Sequence, residues 1–444
     1  MKKGHDMKKV LVGLVFAAIF YEGADAFQKI DYDEIIRRKM QKQFDYSTKL
    51  VITSDLLNNL KLEDGDFSHL KKLKIKGNIR DKQNLLNQVT ILLSKAKNLE
   101  ELQIIECKLG DFPKNIRELK KLKKLRLEHN EISVLPDFIG DLSQLEELTI
   151  EWNKLASVPK TIENLTKLKI LDLQWSPISS LPETIGNLTQ LTVLNLQGNL
   201  LKALPKSIGN LSNLVYLDIG ENMHIKALPE SMGNMQKLEK LCVCGNQLTT
   251  IPGFIGNLKN LKVLAAWGNP ITSIHENVFN LENLKVLSLG YTRLKSLPES
   301  IGKLKNLESL YLESLELESL PDSLRNLKKL HTLNLSGGER GNKLATIPYC
   351  VFELSNLKNL WLSRNQLVSI SENIEQLRNL ESLSISDNIP LKEWPKSLEK
   401  LKNLKKLGID VYQKVEWSQS VEYLKKINKN LEISAVNSGW YTHK

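Results

Sequence analysis

The sequence predicts an α/β solenoid, an array of about 15 short repeat units with a cap at each end. The first observation is a motif, L-x-x-L-x-[LIVA], that recurs fifteen times along the 444 residues. The second is its spacing, since twelve of the fourteen steps are 23 or 24 residues long. The third is a proline that follows the motif in eleven units. A fixed period of this length is typical of stacked units that share one continuous core.

Each unit is predicted to begin with a short strand, because its apolar residues alternate. The leucines then point inward and the residues between them point outward. An asparagine follows eight residues after the first leucine, where a buried side chain must satisfy backbone groups of its own turn and of the next unit. The asparagines at this position are Asn78, Asn130, Asn153, Asn199, Asn222, Asn246, Asn269, Asn365 and Asn388, whereas other units carry Cys107, Ser176, Thr292, Leu315, Gly338 and Tyr412.

The second half of each unit turns back toward the next strand. The proline ends the strand, and the I-G-N-L stretch after it is too short for a long helix, which favours a helical turn or a 3₁₀ segment. We expect Leu315 to interrupt the row of asparagines, since it cannot form a hydrogen bond.

The full consensus, read from Leu122 to Gln144, resembles the leucine-rich-repeat family in its 23-residue form with L-P-x-x-I-G-N-L. That form is shared by bacterial repeat proteins, plant Ras-group repeat proteins and Scribble-type animal scaffolds. The resemblance covers residues 70 to about 411. It implies a curved solenoid with a parallel sheet lining the concave face, and usually binding of other proteins.

A short apolar run near the N-terminus indicates export. Val10 to Phe20 follows four lysines, is too short to span a bilayer, and precedes the A-x-A site that ends at Ala26. We interpret residues 1–26 as a cleaved signal peptide, so that the mature chain begins at Phe27 and is secreted or periplasmic in a bacterium. The alternatives are an uncleaved leader on a cytoplasmic protein and a start at Met7.

Two segments that lack the repeat, residues 27–69 and 412–444, are predicted to cap the solenoid of residues 70–411. An open stack would otherwise expose its core at each end. A partner-binding helix or a surface-attachment segment is the alternative for both. Each segment carries an apolar stripe with helical spacing, formed by Tyr32, Ile36, Met40 and Phe44 in the first and by Val421, Leu424, Ile427 and Leu431 in the second.

The sequence contains no arrangement typical of an enzyme. The seven histidines form no H-E-x-x-H motif, and the glycine-rich stretch from Gly337 to Lys343 departs from the phosphate-loop pattern. Cys242 and Cys244 lie on one strand and are expected to face outward as free thiols, with a strained disulfide or a soft-metal site as alternatives. We therefore predict no catalytic residues, no cofactor and no metal.

The concave face is the predicted binding surface. Outward positions fall two, four, six and seven residues after the first leucine, which makes Trp152 and Trp175 neighbours about 5 Å apart. Exposed aromatic side chains often anchor partners, although they can also simply cover a sheet. The predicted anchors are Trp152, Trp175, Tyr216, Trp267, Tyr291, Tyr311 and Trp361.

The predicted charge of the concave face is opposite in sign to the net charge of the chain. The net charge is +11, from 62 basic and 51 acidic residues, yet from the Leu99 unit to the Leu380 unit the outward positions hold ten acids and four bases. Lys72, Lys74 and Lys76 at the N-terminal end are a local exception. A concave face that binds nucleic acid would need a net positive charge, because the phosphate backbone is negative. The carboxylates predicted to complement a partner are Glu147, Glu151, Asp172, Asp218 and Glu221.

We therefore predict a non-catalytic, exported protein that binds a protein ligand on an aromatic and acidic concave face. One alternative is carbohydrate binding, because tryptophan pairs can stack on sugar rings while carboxylates bond hydroxyl groups. Another is an intracellular signalling scaffold like the plant and animal relatives.

Overall fold

The computed structural model describes residues 48–54, 57, 62, 65–77, 82–337 and 341–436. The predicted signal peptide, most of the predicted N-terminal cap with its apolar stripe, and Asn78 and Gly338 lie outside the described residues.

In the described part of the chain, seventeen strands form one parallel sheet, and each of them pairs with its neighbours in chain order. The register follows the repeat, so that Leu148, Leu171 and Leu194 lie opposite one another. The predicted solenoid is confirmed. The sheet strands are β1 Lys49–Thr53, β2 Lys72–Lys76, β3 Glu101–Ile105, β4 Lys124–Arg126, β5 Glu147–Thr149, β6 Ile170–Asp172, β7 Val193–Asn195, β8 Tyr216–Asp218, β9 Lys240–Cys242, β11 Val263–Ala265, β13 Val286–Ser288, β14 Ser309–Tyr311, β15 Thr332–Asn334, β16 Asn359–Trp361, β17 Ser382–Ser384, β18 Lys406–Asp410 and β19 Glu432–Val436, and two further strands, β10 Thr250–Ile251 and β12 Ser273–Ile274, pair separately.

The opposite side of the array consists of five-residue 3₁₀ segments, as the sequence predicted. A proline precedes ten of them, where its fixed φ suits the turn into a helical segment. In the two units without the proline, His275 Nδ1 and Ser371 Oγ accept the N–H groups of Asn277 and Asn373, each at 3.2 Å. The segments are Lys114–Glu118, Asp137–Asp141, Lys160–Asn164, Glu183–Asn187, Lys206–Asn210, Glu230–Asn234, Gly253–Asn257, Glu276–Asn280, Glu299–Lys303, Asp322–Asn326, Glu372–Gln376 and Lys396–Lys400.

Buried asparagines link successive units. Asn222 donates from Nδ2 to Ile219 O at 2.8 Å and to Leu196 O of the preceding unit at 3.1 Å, and its Oδ1 accepts the N–H of Leu201 at 3.1 Å. Leu315, buried at the same position, lacks these groups. The ladder resumes at Asn342, which the insertion displaces but which still donates to Leu312 O at 2.8 Å.

The sheet extends beyond the repeat at both ends. Strand β1 lies in the segment predicted as the N-terminal cap, and β19 lies in the one predicted as the C-terminal cap. The long step between the first two motifs holds α1, Lys82–Lys95, which the repeat pattern did not reveal. The other helices are α2 Tyr349–Phe352, α3 Val411–Glu416 and α4 Ser418–Ile427.

The C-terminal helices pack on the last units. Val421, Leu424 and Leu431 of the predicted stripe are buried, whereas Ile427 is exposed. Trp417 is also buried, and its Nε1 donates to Lys392 O at 2.9 Å. No helix in the described part of the chain is both long enough and apolar enough to cross a membrane.

Because the core is continuous, removing one central leucine should weaken its neighbours. We expect Leu194→Ala, at a fully buried position, to lower the free energy of unfolding by about 2–5 kcal/mol. Chemical denaturation followed by circular dichroism measures this change. Leu200→Ala is the matched control, because Leu200 is exposed in the neighbouring loop, and an equal loss in both variants would contradict the packing described here.

Candidate functional site

In most units the residue seven places after the first leucine has a left-handed backbone. The φ angles there are 53° at His129, 54° at Trp152 and 53° at Trp175. Each of these residues donates its N–H to a carbonyl of the next unit at 2.8–3.0 Å, which fixes their alignment. This conformation costs a non-glycine residue about 1–2 kcal/mol, and the next unit has Gly198 there instead. Three rings thus occupy positions that the backbone does not favour.

These three side chains form what we call the aromatic stack. The ring centroids of Trp152 and Trp175 are 4.9 Å apart with planes 15° from parallel, and those of His129 and Trp152 are 5.4 Å apart at 7°. A Cβ atom on Gly198 would lie 2.5–2.9 Å from three atoms of the Trp175 ring, so the far face of that ring rests on the glycine. Both faces of each tryptophan are therefore covered. Trp152 and Trp175 nevertheless remain 45% and 37% exposed.

Three carboxylates lie beside the stack in the same units, and we call Glu128, Glu151 and Asp172 the acidic strip. Burial, followed by repulsion from the other two carboxylates, raises the pKa of Asp172 to about 6. Burial and the charge of Glu151 also raise the pKa of Glu128. Asp172 accepts hydrogen bonds from Gln174 N–H at 3.2 Å and from Asn195 Nδ2 at 3.1 Å. The strip concentrates negative charge without full access to water.

Two other predicted carboxylates are engaged within the protein. Glu147 is only 5% exposed; it accepts a hydrogen bond from Arg126 Nε at 2.6 Å and lies 3.4 Å from Lys124 Nζ. Asp218 is 7% exposed and accepts the N–H of Gly220 at 2.8 Å and the hydroxyl of Tyr216 at 3.1 Å. The structure thus buries two side chains that the sequence placed on the exposed face, because neighbouring side chains close over them.

Tyr216 is correspondingly half-buried. Burial and the neighbouring Asp218 carboxylate raise its pKa, so the hydroxyl stays protonated and donates to that carboxylate. The Glu221 side chain crosses to the next unit, where a Cβ atom on Gly245 would lie 2.7 Å from its carboxylate carbon.

The last four predicted anchors lie at least four units beyond Trp175. At a strand spacing of about 4.8 Å, this places them about 19 Å or more from Trp175 along the array. Trp267 and Tyr291 are exposed, whereas Tyr311 on β14 and Trp361 on β16 are half-buried. Tyr291 lines a cavity of about 490 Å³ together with Arg293 and Arg364. The structure therefore brings Trp152 and Trp175 together and leaves the other aromatic anchors apart from them.

Sequence reasoning missed His129 as a member of the stack and did not include Glu128 among the binding carboxylates. The signal was present, because His129 occupies the same place in its unit as Trp152 and Trp175 do in theirs. Only tryptophan and tyrosine were considered as aromatic anchors at those positions.

Cys242 and Cys244 lie close together but do not both face outward. Cys242 Sγ and Cys244 Sγ are 2.9 Å apart, but Cys244 is buried rather than facing outward as predicted. The contact with Cys242, together with burial, raises the pKa of Cys244, which favours the protonated thiol over a metal-binding thiolate. Among the described residues, no group of three or more His, Cys, Asp or Glu side chains could hold a metal ion.

Comparison with known proteins agrees with this architecture. A family model described as a leucine-rich repeat region matches residues 157–267 and 244–335. The solved structure of the leucine-rich-repeat protein LIC12759 of Leptospira interrogans is 33% identical, with a TM-score of 0.65, over 78% of this chain and 92% of that one. The chain belongs to the leucine-rich-repeat family.

Two further leucine-rich-repeat structures are similar at lower identity. An internalin of Listeria monocytogenes, inlF, is 25% identical with a TM-score of 0.64, over 73% of this chain and 92% of that one. The ectodomain of the Arabidopsis thaliana receptor kinase GASSHO1/SCHENGEN3, in complex with CASPARIAN STRIP INTEGRITY FACTOR 2, is 25% identical with a TM-score of 0.52, over 82% and 49%. The sequence matches none of the curated proteins.

The raised pKa of Asp172 predicts a pH-dependent stability. Between its ordinary value of 3.8 and about 6, the folded protein holds a proton that the unfolded chain has lost. Stability therefore falls as pH rises through this window and is not regained above it. We expect Asp172→Asn to melt at a higher temperature than the wild type at about pH 7.5 and at a similar temperature at about pH 4.

Thermal denaturation at both pH values measures the effect. Asp111→Asn, at an exposed position, is the control and should show no comparable difference. A difference for Asp172→Asn that did not change with pH would contradict the assigned burial.

Proposed function

We propose that this leucine-rich-repeat protein binds another protein through its concave side and rim, without catalysing a reaction. The observation that carries the proposal is the aromatic stack. Its rings cover no part of the core, remain exposed, and occupy left-handed positions that cost conformational energy. Exposed aromatic clusters of this kind are typical anchors of protein interfaces.

The solved relatives support the same class of function. The Arabidopsis receptor ectodomain is seen in a complex with a factor that it binds. This chain is similar to that ectodomain over 82% of its length, so a protein ligand is consistent with this architecture. Of the residues predicted from the sequence, we propose Trp152 and Trp175 as the main contacts, with Glu151, Asp172 and Glu221 supplying complementary charge.

Carbohydrate binding is the second candidate, and the geometry of the stack disfavours it. A sugar ring packs against an open aromatic face, whereas both faces of Trp152 and Trp175 are covered by neighbouring rings or by Gly198. If the wild type binds strongly to a glycan array and the Trp152→Ala/Trp175→Ala variant does not, carbohydrate binding becomes the favoured function.

Export is part of the proposal and is supported by the leader-like composition of residues 1–26. We expect the protein recovered from its native cells to begin at Phe27 and to lie outside the cytoplasm. Cell fractionation with N-terminal sequencing provides the measurement. A cytoplasmic protein that begins at Met1 or Met7 would instead favour the intracellular scaffold.

The binding site is tested by first identifying the partner with a photo-crosslinking residue in place of His129. We then expect Trp152→Ala/Trp175→Ala to weaken binding of that partner by about 2 kcal/mol or more, the range of interface hot spots. Calorimetric titration measures the loss, and circular dichroism should show an unchanged fold because the rings lie outside the core.

The matched control is Tyr349→Ala/Tyr423→Ala, which removes two exposed aromatic rings elsewhere on the array. This variant should bind like the wild type. Equal affinity of all three proteins would exclude the aromatic stack as the binding site.

A further inference from the structure

Among the described residues, two of the three carboxylates of the acidic strip have no cationic partner, in contrast to the lysine–glutamate pairs along the edge of the sheet. Along the edge of the sheet, successive units pair lysine with glutamate, as in Lys123–Glu100 and Lys169–Glu146, both at 2.8 Å. Within the described part of the chain, no cation forms a salt bridge with Glu151 or Asp172, which accept hydrogen bonds from neutral amides instead.

Glu128 is the third member of the strip, and its salt-bridge partner Arg126 is shared; the charges of Arg126, Lys74 and His129 partly offset the rise in its pKa. Its Oε1 lies 3.9 Å from Arg126 Nη1, while the same guanidinium binds Glu147 more closely. The Glu128 side chain is 16% exposed, so water solvates its charge incompletely. Partly buried carboxylates without a cation gain from a cationic ligand more than freely hydrated ones do.

The adjacent aromatic stack narrows the chemistry of that ligand. Its exposed ring edges carry partial positive charge, so an ammonium or guanidinium group is drawn to the carboxylates rather than to the rings. The methylene stem of a lysine or arginine can pack along the same ring edges. One long basic side chain can therefore contact the carboxylates with its charged group and the ring edges with its methylene stem.

We propose that the aromatic stack and the acidic strip bind a lysine- or arginine-rich segment of the partner protein, an inference that rests on the proposed function. The carboxylates occur on three consecutive units, and strands lie about 4.8 Å apart, so the strip spans about 10 Å. An extended segment of about three residues has the same length. The exposed rings are the observation, independent of the acids, that marks this part of the sheet as a contact surface.

A short fluorescent oligolysine tests the proposal, with oligoglutamate of equal length as the probe of opposite charge. Oligolysine should bind the wild type, and its affinity should fall as salt is added. We expect the triple variant Glu128→Gln/Glu151→Gln/Asp172→Asn to bind it roughly tenfold less tightly, as three partly screened ion pairs are lost. The neutral amides keep the size of the side chains, and circular dichroism verifies the fold.

The matched control is Glu230→Gln/Glu276→Gln/Glu318→Gln, which removes the same charge from exposed positions outside the concave face. It should bind oligolysine like the wild type. The proposal is overturned if oligolysine does not bind, if oligoglutamate binds equally well, or if the two triple variants lose the same affinity.

Binding of the natural partner by the two variants distinguishes this inference from the proposed function. If its binding is lost in Trp152→Ala/Trp175→Ala but kept in the acidic-strip variant, protein binding at the stack stands and the basic segment is rejected. If neither variant affects the partner, the proposed function itself fails at this site.

Discussion

Each turn of this solenoid leaves backbone N–H and C=O groups inside the array, and the buried asparagine of a neighbouring turn supplies their hydrogen bonds. Asn199 shows the principle, since its Nδ2 donates to Leu173 O of the preceding unit and to Leu196 O of its own, each at 2.9 Å. An unsatisfied buried backbone group costs about 1–3 kcal/mol. The asparagine ladder therefore aligns the units that it links, and the surface rows on the concave side share that alignment.

The register also explains why a bulky ring can occupy a left-handed position. The N–H of Trp152 is held by Gln174 O at 3.0 Å and that of Trp175 by Gln197 O at 2.8 Å, so the next unit fixes the backbone whatever the side chain. The scaffold overcomes the local preference for glycine, and identical spacing then brings successive rings into contact. Stacking of the rings offsets part of the free-energy cost of the left-handed backbone, because parallel aromatic pairs contribute about 0.5–1.5 kcal/mol beyond their burial. The aromatic stack is thus a consequence of the regular backbone hydrogen bonding between successive units.

The sequence was sufficient for the fold because one period determines strand, turn and core together. It also gave the adjacency of Trp152 and Trp175, which follows from equal offsets in neighbouring units. It could not give the burial of Glu147 or Asp218, since that depends on whether Arg126 and Tyr216 close over the carboxylates. Helix α1 was missed for a different reason, because the long step between the first two motifs breaks the period that supported every other assignment.

The local charge of the concave face differs from the net charge of the chain, and it determines which partner this surface favours. The chain is basic overall, and long-range repulsion alone would turn a basic partner away. Screening limits that repulsion to about 8–10 Å at physiological salt, whereas the acidic strip acts at contact distance. Most glutamates along the edge of the sheet already have a lysine partner and offer little net field. The carboxylates that lack one therefore dominate the local potential beside the aromatic stack. Selectivity in this protein would then arise from where its partly buried carboxylates without a salt bridge lie, and not from its net charge.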